Sequence, residues 1–398
     1  MKIQLASRFE CTGCMACADA CAHKAINIVI ADDGHYYPRI EKSKCIECGL
    51  CMKSCPIISD FSYEREDKMS RPYAAWAKDD KIRSKSSSGG AFAAIAQQIL
   101  QEGGIVIGVT IESSIAKHIA IESICELYKL QGSKYQQSKA VGIYQQALSY
   151  LKTGRKVLFS GTACQIAGLY AFLGKRTFKN LVTVDLICAG VPSRLPIDKF
   201  LCQKDFVEIV SYRDKVDGWG GCCLTVLNQS RKMVRKPLNG ELVISSFSSS
   251  LTDRYSCFNC KFIGLYRKAD ITLADFWGDK DFKEEHRAGI SLVIIHSLLG
   301  KNLVNTSDLK LYESTWEKCL LHNPRLVYGK VLMAKYRLER RLLGYFWGRK
   351  SLSFLLALYC GIYSNKLWYP YKVFKYLVWK YNMYVINKKL TEFISTLK

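Results

Sequence analysis

The chain has 398 residues, 49% of them hydrophobic and 18 of them cysteine, with a formal net charge of +23. At about 150 residues per domain this is material for two or three cored domains, which excludes a disordered chain and a short secreted disulfide scaffold. Residues 1–60 carry seven Lys/Arg and seven Asp/Glu, whereas residues 330–398 carry fourteen and two, so the excess charge describes a tail more than a whole surface.

The opening MKIQLASRFEC holds no apolar run of signal-peptide length, so a cytoplasmic location is expected. In a reducing compartment, clustered thiols at short fixed spacing are metal ligands more often than bridges. Two such runs follow, CTGCMACADAC from residue 11 and CIECGLCMKSCP from residue 45. Zinc also takes four thiolates, but usually as two CxxC pairs held well apart, and zinc or mixed ligation remains the alternative. A CxxCxxCxxxC run suits a cubane: three thiolates wrap one cluster and the last cysteine reaches the other. On that rule Cys11, Cys14, Cys17 and Cys55 hold one 4Fe-4S cluster, and Cys45, Cys48, Cys51 and Cys21 hold the second. Pro56 follows Cys55 as the pattern asks, whereas Ala22 replaces the proline after Cys21. Between the runs, AINIVIADDGHYYPRI predicts two short strands around the turn pair Asp33-Gly34.

A polar stretch, residues 59–72, ends at Pro72 and reads as a linker. Beyond it strand-like and helix-like pieces alternate. SKSSSGGAFAAIAQQILQEGG predicts a loop, a helix and a Gly-Gly stop; IVIGVTI and KHIAIES predict strands; VGIYQQALSYLKTG predicts a helix. KVLFSGTACQIAGLYAFLG predicts strand, turn and helix, and LVTVDLICAG a buried strand, followed by the β-rich GCCLTVLNQ, ADITLADFWG and GISLVIIHS. The fold class expected is α+β (mixed α/β). It comprises a two-cluster ferredoxin domain over 1–60, a larger mixed α/β domain over 61–330, and a basic, aromatic helical tail over 331–398.

The turns in SSSGGAF and FSGTACQIAG place small residues before helices, where free N–H groups favour phosphate, although the same residues also make plain N-caps. Two such turns in one domain point to a dinucleotide or flavin. Cys164 and Cys188 fall at strand ends, where α/β folds place their sites, and with the Cys257/Cys260 pair they make four thiolates, enough for a third 4Fe-4S cluster. Spacing alone leaves Cys125, Cys202, Cys222, Cys223, Cys319 and Cys360 equally available, and these six read as ordinary buried residues.

The ordered segments SSSGGAF, GSKYQQS, GTACQIAGL, YRDKVDGW, RYSCFNCKF and RKADITLADFWG resemble those of the coenzyme F420 hydrogenase/dehydrogenase beta-subunit family, in its bacterial form with an N-terminal two-cluster ferredoxin. The likeness runs from residue 11 to about residue 300. It implies FAD, a flavin site near Ser88, Gly89, Gly90, Lys134, Ser138, Thr162 and Gln165, and the third cluster at Cys164, Cys188, Cys257 and Cys260. Ala163 stands where the family commonly has proline, and Ala189 where histidine is usual. A flavin exchanges electrons singly or in pairs, so it converts between clusters and two-electron substrates. Lys134 is the candidate to stabilise a reduced anionic flavin; Asp275 and Trp277 to shape its pocket; Arg254 and Arg267 to hold phosphate or an acidic substrate.

No HExxH pattern or hydrolase triad accompanies the six histidines. The apolar run 351–364 is shorter than the roughly 20 residues that span a bilayer. Phe374, Leu377, Val378 and Tyr381 against Lys372, Lys375 and Lys380 predict an amphipathic helix, which would lie on a membrane surface, grip an acidic partner or pack on its own domain. Nucleic acid is disfavoured, because no binding motif accompanies the charge. The function expected is an iron-sulfur flavoprotein oxidoreductase acting on a small molecule, with ferredoxin or a deazaflavin- or nicotinamide-type coenzyme as electron partner. The alternative is an electron-transfer subunit serving a protein that holds the substrate site.

Overall fold

The computed structural model describes residues 3–59, 70–174, 176–203, 205–238, 241–248, 250, 252–277, 280–329, 380, 384–385 and 388–396. The cysteine-rich segment carries one antiparallel hairpin, β1 (Ile26–Ile30) and β2 (Tyr36–Ile40), with Ile30 opposite Tyr36. Its turn holds Gly34 at φ +73°, the left-handed region that glycine enters without a Cβ clash, as the Asp-Gly pair predicts.

The larger unit begins at β3 (Arg71–Ala77), so the polar stretch ends sooner than expected and Pro72 lies inside a strand. Proline is tolerated there because it stands near the strand's beginning, where its carbonyl still accepts from Ser314 N at 3.0 Å. The rest of the linker lies outside the described residues. The strands that follow are β4 (Ile105–Glu112), β5 (Ile115–Ile121), β6 (Val157–Ser160), β7 (Leu181–Leu186), β8 (Phe206–Asp214), β9 (Cys223–Asn228), β10 (Met233–Pro237), β11 (Ile271–Asp275), β12 (Ser291–Ile295) and β13 (Leu309–Glu313). Eight form one sheet in the order β13-β3-β12-β11-β7-β6-β4-β5, in which β4, β6, β7 and β11 run parallel and the outer strands antiparallel. This confirms the mixed α/β class. A separate antiparallel sheet, β8 to β10, closes on its own core of Phe200, Tyr212, Leu224 and Val226, a division that the β-rich patterning alone does not reveal.

Helices cover both faces of the large sheet, as buried parallel strands require. The helix Ala91–Gln101 packs Ile95, Ile99 and Leu100 against Val106, Val184 and Val293 on one side. On the other, the helices Ile143–Lys152 and Ala163–Leu173 bury Tyr144, Ile166 and Leu169 together with Cys14, Met15, Ala16 and Tyr36 of the cysteine-rich segment. The two parts therefore share a core. At their seam Asp19, 4% exposed, accepts from Gly142 N at 2.5 Å and Tyr144 N at 2.9 Å, capping the helix Ile143–Lys152 from outside it. Burial pushes its carboxyl above the usual range, opposed by these N–H bonds.

Of the tail, residues 388–396 are helical, and Leu390 and Ile394 pack with Leu265, Phe276 and Leu320. That segment lies on its own domain; the amphipathic spacing around Phe374 to Tyr381 lies outside the described residues, apart from Lys380. No helix among the described residues is long and apolar enough to cross a membrane.

Asp19→Asn replaces one accepting oxygen with an N–H₂ that faces a backbone N–H, so it should cost about 1–3 kcal/mol. Anaerobic thermal unfolding of the two proteins checks this, and an unchanged midpoint would remove the cap from the seam.

Candidate functional site

The two cysteine runs fold across each other. Cys11, Cys14, Cys17 and Cys55 line one small apolar cavity with Ile28, Tyr36 and Pro38, while Cys21, Cys45, Cys48 and Cys51 line a second with Ile26, Ile40 and Leu50. Each cavity thus takes three cysteines from one run and the fourth from the other, in the pairing that the spacing predicts. Among the described residues no three His, Cys, Asp or Glu side chains meet at the position of one ion; the thiols ring a space instead. The loops that present them need left-handed backbone at Gly13 (φ +70°) and Gly49 (φ +77°), each directly preceding a cysteine-bearing turn.

The two cavities differ in surroundings. The first lies at the seam: Cys14 is buried, and a Cβ on Gly168 of the helix Ala163–Leu173 would stand 3.0 Å from its sulfur. Burial, with added repulsion from Cys11 and Cys55, pushes the Cys14 thiol up to about 12, so a thiolate there needs positive compensation. The second cavity reaches the surface, where Cys48 is exposed.

Arg254 stands beside the first cavity and is fully buried. Its Nε donates to Cys11 O at 2.6 Å, its Nη1 to Tyr36 O at 3.0 Å and Gln137 Oε1 at 3.3 Å, and its guanidinium lies 4.0 Å from the Tyr37 ring centroid. Among the described residues its hydrogen-bond partners are neutral oxygens, and Nη2 has none there. A buried cation without a charged partner is costly. A net-negative thiolate cluster in the adjacent cavity would offset that cost, so these residues fit an iron-sulfur group. The expected role of Arg254 as a phosphate or substrate ligand is therefore corrected, and so is that of Arg267. Arg267, in the segment before β11, is buried against Asp185 at the end of β7 (Nε to Oδ2 2.9 Å) and donates to Leu186 O, so its charge is spent inside the fold.

The third set gathers at the carboxyl ends of adjacent parallel strands. Cys164 follows β6 and Cys188 follows β7, while Cys257 and Cys260 lie on and just after the short 3-10 helix Tyr255–Asn259. The pair reaches these strand ends because Arg254 N is bonded to Val191 O at 2.9 Å. Cys164 feels the charge of Cys188, Cys260 and Cys14, and Cys257 that of Cys188, Cys164 and Cys260. Tyr144 joins this set to the first: its hydroxyl donates to Cys14 O at 2.8 Å and lies 3.4 Å from Gln165 O. The six remaining cysteines are not uniformly buried. Cys223 and Cys319 are, Cys222 is intermediate, and Cys125 and Cys202 are exposed because their short helices lie at the surface; Cys360 lies outside the described residues.

The residues assigned to flavin come together around the loop 131–138. Ser133 N and Oγ donate to Ser87 Oγ at 2.6 and 2.9 Å, tying that loop to SSSGG, and Gln165 Nε2 donates to Ser138 Oγ at 3.0 Å. Thr162 and Gln165 form a capping box at the helix Ala163–Leu173, and Thr162 Oγ1 lies 3.1 Å from Cys164 Sγ. Ser88 Oγ donates to Ile290 O at 2.6 Å, and Gly90 at φ +87° begins the helix Ala91–Gln101. Gly89 has no room for a side chain, since a Cβ would meet Ala75 O at 2.5 Å and Ser291 N at 2.6 Å. Its small size serves close packing of the loop on β3 and β12.

Among the described residues Lys134 Nζ donates to the carbonyls of Leu130 (2.9 Å) and Gln131 (2.7 Å) alone. Burial brings it down from 10.5 to about 7, which fits a site for an anionic group. Nearby, Arg213 pairs with Asp275 at 2.7 Å and lies over Trp277, which stacks on Trp219 at 4.2 Å. Lys215 Nζ donates to Ser88 O at 2.6 Å and Ala288 O at 2.7 Å, fastening the SSSGG loop from above. Arg213, Lys215 and Trp219 were not singled out in the sequence, although the segment YRDKVDGW contains them.

A sheet whose parallel strand ends gather thiols, joined to a cross-folded eight-cysteine unit, defines an iron-sulfur electron-transfer protein. Residues 10–57 match the model of a 4Fe-4S dicluster domain, residues 72–144 that of the coenzyme F420 hydrogenase/dehydrogenase beta subunit N-term, and residues 154–315 that of the same subunit's C terminus. The chain belongs to the coenzyme F420 hydrogenase/dehydrogenase beta-subunit family, with a 4Fe-4S dicluster domain at its amino-terminal side. A solved chain of the F420-reducing NiFe hydrogenase complex from Methanosarcina barkeri superposes with a TM-score of 0.43 at 17% identity, over 63% of this chain and 84% of that one. No match is found among curated proteins.

The folded value of Lys134 lies below its unfolded one, so folding carries the full cost of this amine below about pH 7 and regains stability as pH rises towards 10.5. Lys134→Met should therefore raise the melting temperature at pH 6.5, by roughly 2–4 °C for each kcal/mol relieved. The gain should shrink at pH 9.5; a pH-independent gain would contradict the assignment.

Proposed function

We propose that this protein is an iron-sulfur flavoprotein oxidoreductase in which three 4Fe-4S clusters pass single electrons to or from a bound FAD, which exchanges electron pairs with a small-molecule substrate or coenzyme. The observation that carries this reading is the serial placement of three cysteine sets: one reaches the surface, one lies in the seam between the two parts, and one stands at the strand ends.

In this reading Cys21, Cys45, Cys48 and Cys51 hold the outer cluster, and Cys11, Cys14, Cys17 and Cys55 the inner one. Cys164, Cys188, Cys257 and Cys260 hold the third. Arg254, whose Nε donates to the Cys11 carbonyl at 2.6 Å, would compensate the negative charge of a cluster held by the inner set. Tyr144 keeps the inner and third sets in fixed relation by bonding the Cys14 carbonyl.

The flavin would lie against the loop 131–138, bounded by Ser88, Gly89, Gly90, Ser138, Thr162 and Gln165, and its chemistry is the conversion between one-electron and two-electron steps. Lys134 supplies a cation that gives up its proton near neutrality, suited to countering negative charge on a ligand or returning a proton. The hydrogen bond from Thr162 N to Gln165 Oε1 at 2.9 Å holds the turn that presents both Cys164 and the flavin-side residues. Asp275 fixes Arg213 over Trp277, leaving an aromatic and cationic wall on which a planar, anionic substrate can lie.

Anaerobically purified protein should contain about 12 iron atoms, four for each of three sets, together with stoichiometric sulfide and FAD. Cys257→Ser should lower iron by about four while sparing the dicluster domain. Iron close to eight in the parent, or unchanged on substitution, would remove the third cluster; absence of flavin would leave an electron-transfer subunit alone.

A further inference from the structure

The seven cations and seven acids of residues 1–60 cancel, yet they are not mixed. Lys24, Arg39, Lys42, Lys44 and Lys53 flank the residues that line the outer cavity, against Glu41 and Glu47 alone. Of the other described acids of this unit, Glu10, Asp32 and Asp33 belong to segments outside that cavity's lining, and Asp19, near Cys21 in sequence, is buried at the seam against Gly142 N and Tyr144 N. One end of a neutral domain is thus basic. At its centre Ile46 is 61% exposed and Leu50 44% exposed, on either side of the exposed Cys48. The inner set has no fully exposed cysteine: Cys14 is buried in the core shared with the larger unit, and Cys11, Cys17 and Cys55 are partly exposed.

We infer that this face, with Ile46, Cys48 and Leu50 at its centre and Lys24, Lys42 and Lys53 on its rim, is the docking surface for a small acidic one-electron carrier protein. The inference rests on the reading that the outer set holds a cluster. An apolar centre with a charged rim is the usual anatomy of a protein interface, and redox encounters are the small, transient kind. Charge complementarity selects an acidic partner and speeds its approach by electrostatic steering, which salt screens. One electron leaves the carrier's reduced centre and enters the outer set through Cys48; no bond is made or broken. The exposed Lys24, Lys42 and Lys53 steer the carrier and take no part in holding the cluster.

The test is anaerobic stopped-flow reduction of the full chain by a dithionite-reduced acidic ferredoxin, compared with photoreduced 5-deazariboflavin, a small reductant that needs no docking. The second-order rate with ferredoxin should fall as salt is raised, and Lys24→Glu/Lys42→Glu/Lys53→Glu should lower it at least tenfold at low salt while leaving reduction by deazariboflavin unchanged. Equal rates for the triple variant and the parent, or a parent rate indifferent to salt, would overturn the proposal. So would a parent dimer that the triple variant loses, which would assign the face to a second copy. Failure of the underlying reading looks different: the parent would hold no iron and would not bleach with either reductant.

Discussion

Thiolates cannot be concentrated in a low-dielectric seam without positive charge to balance them, and much of the arrangement follows from that constraint. Burial pushes Cys14, Cys17, Cys164 and Cys257 upward as thiols, so in the absence of a compensating charge the protons would stay on. Arg254 is the matching oddity, a fully buried cation whose hydrogen-bond partners among the described residues are neutral. Each is costly alone, and a metal cluster carrying net negative charge reconciles them. The same guanidinium fastens the Cys257 segment to the Cys11 loop, so charge balance and domain docking are one interaction.

The seam has a second consequence. Because Cys14, Met15 and Tyr36 complete the core over the helices Ile143–Lys152 and Ala163–Leu173, the cysteine-rich unit cannot swing as a tethered carrier would. Asp19 and Tyr144 pin it with bonds to backbone atoms, which hold distances more narrowly than surface ion pairs do. The inner set and the strand-end set are therefore held at a fixed separation, with Tyr144 bonded to the Cys14 carbonyl between them.

Local spacing made the eight N-terminal cysteines legible, along with the hairpin, most strands of the large sheet and the helix after SSSGG. In each case the information lies within a few residues: a thiol every third position, an Asp-Gly turn, apolar periodicity. Gly89 shows the limit. Local composition reads SSSGG as a helix-leading loop, but that the backbone of β3 and of β12, the latter about 200 residues on, stands where a Gly89 Cβ would go is a contact that no local pattern reports. Arg254 and Arg267 were misjudged for the same reason, since whether an arginine faces solvent or a carbonyl is settled by what folds over it.

The sequence by itself pointed to which cysteines gather, three from one run with the last of the other, because thiols at those spacings suit a shared pair of cavities. It also determined an alternating strand and helix chain with thiols at strand ends. Only the tertiary structure decided that Cys164 and Cys188 are neighbours, since that depends on β6 and β7 being adjacent and parallel, a property of sheet order. It alone decided that Cys14 is buried at the seam while Cys48 meets the surface, because burial belongs to the docking of one unit on another and is written in no single segment.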